Sequence, residues 1–118
     1  GTYEIQVLDS FADFPANNLC GGIYSIATPI VNACLPPEEW QTYDITFRAA
    51  RFDENGKKIK NAELHVVHNG KVIHDNLVLP KATPGGLYGN KEVPEGELLL
   101  QFHGDYLSFK NIWVKPLN

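Results

Sequence analysis

The sequence lacks the features that would assign it to a membrane, nucleic-acid-binding or structural zinc class. No apolar run approaches the roughly 20 residues that cross a bilayer. Its 10 lysines and arginines are scattered, and with a formal net charge of -4 they form no surface that could follow a phosphate backbone. The two cysteines have no Cys-x-x-Cys or Cys/His spacing of the zinc type. We therefore expect no membrane span and no nucleic-acid partner.

Helical periodicity is also missing, because no stretch of useful length repeats its apolar residues every 3.6 positions. Several short segments instead alternate apolar and polar residues, as half-buried strands do. Asn69-Gly70 is a strong signal for a two-residue hairpin turn, and the Gly- and Pro-rich stretch 83–96 indicates a long loop. The sequence predicts one all-β antiparallel domain over residues 1–118, a sandwich or barrel. The predicted strands are 3–7, 22–26, 40–48, 62–68, 71–74, 76–79, 98–103 and 109–114.

This set of strands is small for two packed sheets, and the first of them begins at residue 3. Both facts fit a domain whose N-terminal strands are not in this chain. Such a domain would leave a sheet edge and an apolar face open. We therefore expect either a complementing chain or a homo-oligomer to cover them.

Two cysteines, Cys20 and Cys34, flank a short loop that contains glycine and proline. They are either two buried thiols or a disulfide that closes the loop. A chain without long apolar helices would benefit from a covalent link, which favours the disulfide. The disulfide would in turn indicate an oxidising compartment.

Two strands carry polar side chains that share one parity. Glu4 and Gln6 alternate with the apolar residues of strand 3–7, and Gln101 and His103 alternate with those of strand 98–103. A solvated sheet face is the commonest cause of such a pattern. A functional face is the alternative, in which the histidine would suit proton transfer or metal ligation near neutral pH.

Three further residues have the chemistry for sugar contact. Tyr24 and Trp40 are either core aromatics or platforms that stack on the apolar face of a pyranose. Asn32 lies between two prolines, where it either caps a turn or reaches a sugar hydroxyl.

Taken in order, several segments together resemble the C-terminal part of the 3-keto-disaccharide hydrolase family. The resemblance runs over nearly the whole chain, and Phe102 stands where related sequences tend to carry an acidic residue. It implies a concanavalin-like jelly roll and cleavage of glycosides whose sugar is oxidised to a ketone at carbon 3. Members are often exported, so a periplasmic or secreted bacterial location is expected. The segments are 3–9, 22–24, 40–45, 67–70 and 109–117.

In a sandwich of that family, the polar face of one sheet is concave and binds sugar. The resemblance therefore implies Glu4 and His103 as catalytic residues, with a divalent metal as a further option for polarising the ketone. A non-catalytic carbohydrate-binding module of the same fold is the alternative, since fold alone does not decide function. The implied sugar contacts are Gln6, Tyr24, Asn32, Trp40 and Gln101.

Overall fold

A computed structural model describes residues 2–117, and within that range all regular structure is β. The strands pair antiparallel throughout. Three of them form a sheet in the order β1-β4-β5, and the other two form a separate ribbon. The predicted all-β antiparallel class is confirmed. The strands are β1 (Tyr43–Arg48), β2 (Arg51–Phe52), β3 (Lys58–Lys60), β4 (Ala62–His68) and β5 (Lys71–Leu79).

The predicted hairpin is present, with β4 and β5 joined at Asn69 and Gly70. Both turn residues have positive φ, 50° and 78° respectively. This is the backbone that a two-residue turn between twisted strands needs and that asparagine and glycine adopt at least cost. The turn pairs His68 directly with Lys71.

Strand β5 departs from regular alternation because it contains two irregularities. His74 pairs with Val66 while Val72 pairs with Val67, so Ile73 is an extra residue on the β5 side. A second shift separates His74 from Leu77. The first shift explains why Ile73 and His74, consecutive in sequence, are both buried.

The core lies against one face of β4. Every second residue of that strand is buried, and the residues between them are half-buried. Ile23, Ile73 and Leu79 complete this core with no exposed surface. The alternation is what a strand with one face on a core requires. The buried residues of β4 are Ala62, Leu64, Val66 and His68.

Two predicted strands near the N-terminus are wrong in detail. Residues 3–7 form no continuous strand, and isolated bridges join Thr2 to Thr83 and Ile5 to Ile23 instead. Residues 22–26 turn back on themselves, since the amides of Ile26 and Ala27 both donate to the Ile23 carbonyl. A segment that folds back within four residues cannot offer a long edge for pairing.

The predicted strand 40–48 is confirmed with a later start, because β1 begins at Tyr43. The predicted strands 98–103 and 109–114 are wrong: both segments are free of strand structure and exposed along their length. Leu98, Phe102 and Trp113 keep 66%, 79% and 89% of their surface exposed. Alternation favours a strand only where a neighbouring edge supplies hydrogen bonds, and no such edge adjoins these segments within residues 2–117.

Two buried histidines are held in their neutral form. Nε2 of His68 lies 3.0 Å from Oε1 of Gln41, and Nε2 of His74 lies 2.7 Å from the carbonyl oxygen of Gly21. Both partners only accept, so each Nε2 donates. Nδ1 of His68 is buried without a partner among the described residues. Burial lowers the pKa of both imidazoles.

The stability of the fold should therefore fall as the medium becomes acidic. A histidine near pKa 6.5 in the unfolded chain takes up a proton before its folded counterpart does, so stability is fully present above about pH 6.5 and is lost below it. Each histidine contributes a slope of up to about 1.4 kcal/mol per pH unit. Urea unfolding between about pH 7.5 and pH 5 measures it.

The matched control is His103→Gln, which replaces an exposed histidine and should keep the slope. Replacing His68 and His74 by glutamine should flatten it. An acid slope that survives both buried substitutions would assign the effect to other groups.

Candidate functional site

The segment that carries Glu4 and Gln6 is fixed by backbone hydrogen bonds on both sides. The amide of Glu4 donates to Oγ1 of Thr83 at 3.0 Å, and its carbonyl accepts from the amide of Tyr24 at 3.1 Å. The backbone amide of Gln6 donates to the carbonyl of Gly22 at 2.9 Å, and the backbone carbonyl of Gln6 accepts from the amide of Gly21 at 2.8 Å. The chain from residue 2 to residue 7 is thus held between the 21–24 turn and Thr83, without being a strand.

Side chains in this segment follow the predicted parity only in part, because Val7, an apolar residue of the predicted strand 3–7, is 41% exposed. Tyr3 and Ile5 pack against the core, and the ring of Tyr3 lies 5.3 Å from that of Phe47. Glu4 and Gln6 have the opposite parity and are half-buried. No ion pair among residues 2–117 involves Glu4.

Tyr43 supports this segment from β1. Its hydroxyl donates to the carbonyl of Gln6 at 3.1 Å and lies 3.4 Å from Sγ of Cys20. Its ring is stacked on His68, with centroids 4.2 Å apart and planes at 9°. Burial, followed by the neighbouring Cys20, raises the pKa of Tyr43 well above its usual value. The phenol therefore acts as a neutral hydrogen-bond donor.

A polar cluster lies behind Tyr3. Lys58 forms a 2.8 Å ion pair with Oε2 of Glu92, whose side chain is 9% exposed. Its Nζ also donates to the carbonyl of Pro80 at 2.8 Å. Burial and the charge of Glu92 raise the pKa of Tyr3. The cluster ties Pro80 to Lys58, while Thr83 itself holds the start of the chain, because its amide donates to the carbonyl of Thr2 at 2.8 Å.

Sequence reasoning did not identify Thr83, Glu92 or Tyr43 as supports of the site. Tyr43 lies within the predicted strand 40–48, and a tyrosine that faces a core needs a partner for its hydroxyl, which was the available signal. Thr83 and Glu92 lie in a loop rich in glycine and proline, where no periodicity marks an inward-facing side chain.

Asn32 has a structural role that uses all its hydrogen-bonding groups. Its Nδ2 donates to the carbonyls of Ser10 and Asp13 at 2.7 and 2.9 Å, and its Oδ1 accepts from the amide of Cys34 at 3.0 Å. It borders a shallow depression of about 350 Å³ whose other polar side chains include Asn69 and Lys71. Glu4 does not line this depression. The turn-capping interpretation of Asn32 therefore explains its contacts fully.

The two predicted aromatic platforms differ in their surroundings. Tyr24 is 38% exposed, and its backbone amide is bonded to the carbonyl of Glu4. Trp40 is 56% exposed, but Nζ of Lys110 lies 3.9 Å from its ring centroid. A cation over one face leaves only the opposite face for stacking. Of these two aromatic residues, Tyr24 is the one whose backbone is bonded to Glu4.

Gln101 and His103 lie in an exposed segment. Among residues 2–117 no hydrogen bond or ion pair joins either of them to Glu4 or Gln6. The described part of the chain therefore brings together Glu4, Gln6 and Tyr24, and leaves the other predicted residues apart from them. Nor do three or more His, Cys, Asp or Glu side chains of that part converge as a metal site would require.

Comparison with known proteins decides the family. A family model described as a 3-keto-alpha-glucoside-1,2-lyase-like domain matches residues 1–115. The chain belongs to this family. A crystal structure of a "putative glycosyl hydrolase" from Parabacteroides distasonis superposes with a TM-score of 0.68 at 32% identity. No curated protein matches the chain significantly.

The structural match covers 79% of this chain and 40% of the Parabacteroides chain. This member of the lyase-like family thus spans less than half of the protein it resembles. The match supports the concanavalin-like, all-β architecture inferred from the sequence. No helix within residues 2–117 is long and apolar enough to cross a membrane.

Removing the Tyr43 hydroxyl should weaken the fold beneath Gln6. Tyr43→Phe leaves the Gln6 carbonyl without that donor and should lower the free energy of unfolding by about 1–2 kcal/mol. Urea unfolding at neutral pH measures the change. The control is Tyr24→Phe, whose side chain is exposed and for which we expect a change within about 0.5 kcal/mol. Equal effects of the two substitutions would contradict the supporting role.

Proposed function

We propose that this chain carries the sugar-binding face and the catalytic base of an enzyme that cleaves 3-keto-glycosides. The observation that carries the proposal is the match of a 3-keto-alpha-glucoside-1,2-lyase-like domain to residues 1–115. The glycosyl hydrolase description of the Parabacteroides structure supports action on a glycoside in general.

The chemistry follows from the position of the ketone. A carbonyl at carbon 3 acidifies the proton on carbon 2, so a base can remove it and form an enolate. The enolate expels the aglycone from carbon 1, which leaves as an alcohol after protonation, and water then adds to the resulting double bond. The enzyme must supply a base, a group that stabilises the enolate oxygen and a proton for the leaving group. Ordinary glycosidases instead place two carboxylates at the anomeric carbon.

Glu4 is the proposed base. Its backbone is bonded on both sides, to Thr83 and to Tyr24, so the point from which the side chain extends is fixed. Its side chain is half-buried, has the same parity as Gln6 and forms no ion pair within residues 2–117. These properties suit a group that must approach a carbon-bound proton at short range.

The neighbours of Glu4 have proposed binding roles. Gln6 would bond a sugar hydroxyl or the enolate oxygen, and Tyr24 would stack on the apolar face of the pyranose. His103 is the proposed acid for the leaving group, with Gln101 beside it.

The decisive assay compares a 3-keto-glucoside with its parent glucoside, using the protein with all its strands present. We expect release of the aglycone from the ketone alone, because only the ketone acidifies carbon 2. Glu4→Gln should lower kcat by about 10²-fold if the carboxylate removes the proton. Its unfolding free energy should stay near that of the wild type.

The matched control is Glu95→Gln, which changes an exposed carboxylate distant in sequence from the site and should keep full activity. His103→Ala should also reduce turnover. Equal binding of both glucosides without turnover of either would favour a non-catalytic carbohydrate-binding module, for which the exposed Tyr24 and Trp40 are the supporting observation.

We further propose that β-strands of the same type of sandwich cover the exposed apolar surface of this chain. Ile45 and Phe47 of β1 remain 48% and 39% exposed, and β1 is an edge strand paired only with β4. Segment 98–117 is rich in exposed apolar side chains, Trp113 among them. Patches of this kind mark interfaces. The greater length of the Parabacteroides chain indicates where such strands would come from.

A polypeptide carrying the remaining strands should form a stable complex with this chain. Burial of Trp113 should shift the tryptophan fluorescence to shorter wavelength, and segment 98–117 should become resistant to proteases. Trp113→Glu should weaken the complex, whereas Glu95→Gln should not. A chain that remains a 13.2 kDa monomer in the presence of the added strands, or a homodimer that excludes them, would contradict the proposal.

A further inference from the structure

The two cysteines lie in one buried region, where Ser10 and Asn32 connect the segments that carry them. The amide of Cys20 donates to Oγ of Ser10 at 3.1 Å. The amide of Cys34 donates to Oδ1 of Asn32 at 3.0 Å, and Nδ2 of Asn32 donates to the carbonyl of Ser10 at 2.7 Å. Ser10 and Asn32 therefore fix the two cysteine backbones relative to each other.

Their thiols share the same surroundings. Sγ of Cys34 lies 3.8 Å from the carbonyl oxygen of Leu8, and the thiol of Cys20 also meets the backbone of Leu8. Sγ of Cys20 also lies 3.4 Å from the hydroxyl of Tyr43. The two thiols also interact with each other, because Cys34 acts on Cys20 both through its charge and through a side-chain hydrogen bond. Both thiols are free in the structure, and the bridge predicted from the sequence is not formed there.

We propose that Cys20 and Cys34 are an oxidation site at which an intramolecular disulfide forms by exchange with a low-molecular-weight disulfide. The thiolate of one cysteine attacks the small disulfide and releases one small thiol. The second cysteine then attacks the mixed disulfide, which forms the Cys20–Cys34 bond and releases the other small thiol. Two protein S–H bonds are lost, one S–S bond forms, and the two protons end on the released thiols.

Burial determines when this reaction takes place. Cys20 is 4% and Cys34 is 7% exposed, so a small disulfide cannot reach either sulfur in the folded chain. Burial also raises the pKa of Cys20, which lowers the thiolate fraction. Oxidation therefore belongs to the folding chain in an oxidising compartment such as the periplasm, and the finished bond is shielded from reductants.

The disulfide would act on the part of the chain that supports Glu4 and Gln6. It closes a loop of about 15 residues that contains Gly21, Gly22 and Tyr24. Their backbone groups are the ones bonded to Glu4 and Gln6. The covalent link would keep this turn in place when the surrounding chain opens, whatever reaction the site performs.

The test refolds the full chain with oxidised or with reduced glutathione. After denaturation, the protein refolded with the disulfide should have no free thiol and a mass lower by two hydrogens, and the reduced form should have two free thiols. On non-reducing gels the oxidised form should migrate as a monomer, because no intermolecular disulfide forms. Its Tm should exceed that of the reduced form by about 10 °C.

Variants distinguish the bridge from a general effect of the refolding medium. The double variants C20S/C34S and C20A/C34A should each show the same Tm under both conditions. Serine tests the loss of the sulfurs with a polar replacement, and alanine covers the case in which a buried hydroxyl prevents folding. Two free thiols, glutathione adducts or intermolecular dimers after oxidative refolding would each overturn the proposal. None of these outcomes depends on the cleavage of a 3-keto-glycoside.

Discussion

The side chain and backbone of Asn69 hold together three parts of the chain that are distant in sequence. Its positive φ makes the turn between β4 and β5. Its Oδ1 accepts from the amide of Thr42, just before β1, and its Nδ2 donates to the carbonyl of Ala33. The same Nδ2 contacts Oε1 of Gln41, which also accepts from buried His68. The side-chain amide of Asn69 therefore contributes to three things: the register of the sheet, the position of the loop before Cys34 and the hydrogen bonding of His68.

Sequence alone was sufficient for the parts of this fold that local chemistry determines. Asn69-Gly70 specifies its hairpin through backbone conformation, and β4 specifies its inward face through alternation. Residues 3–7 and 98–103 have the same alternation, yet neither segment becomes a strand within residues 2–117. Their pairing depends on a neighbouring edge, and a period of two contains no information about whether that edge exists.

The candidate site shows the same division. Parity alone separated Glu4 and Gln6 from Tyr3 and Ile5, and the structure retains that separation. The parts that support Glu4 come from Thr83, about 80 positions away, and from Tyr43 through Gln6. Such long-range contacts are set by the packing of the core around Ile23 and β4, which no local pattern describes.

The extra residue at Ile73 gives the sheet a place to change length. A bulge confines an added residue to one strand and preserves the pairing on either side of it. Insertion or loss of a residue there would alter what β5 buries, while the turn at Asn69 and Gly70 and the pairing of β4 with β1 would stay where they are. Sequence alignments of this hairpin should therefore place their gaps between residues 72 and 77, and not at the turn.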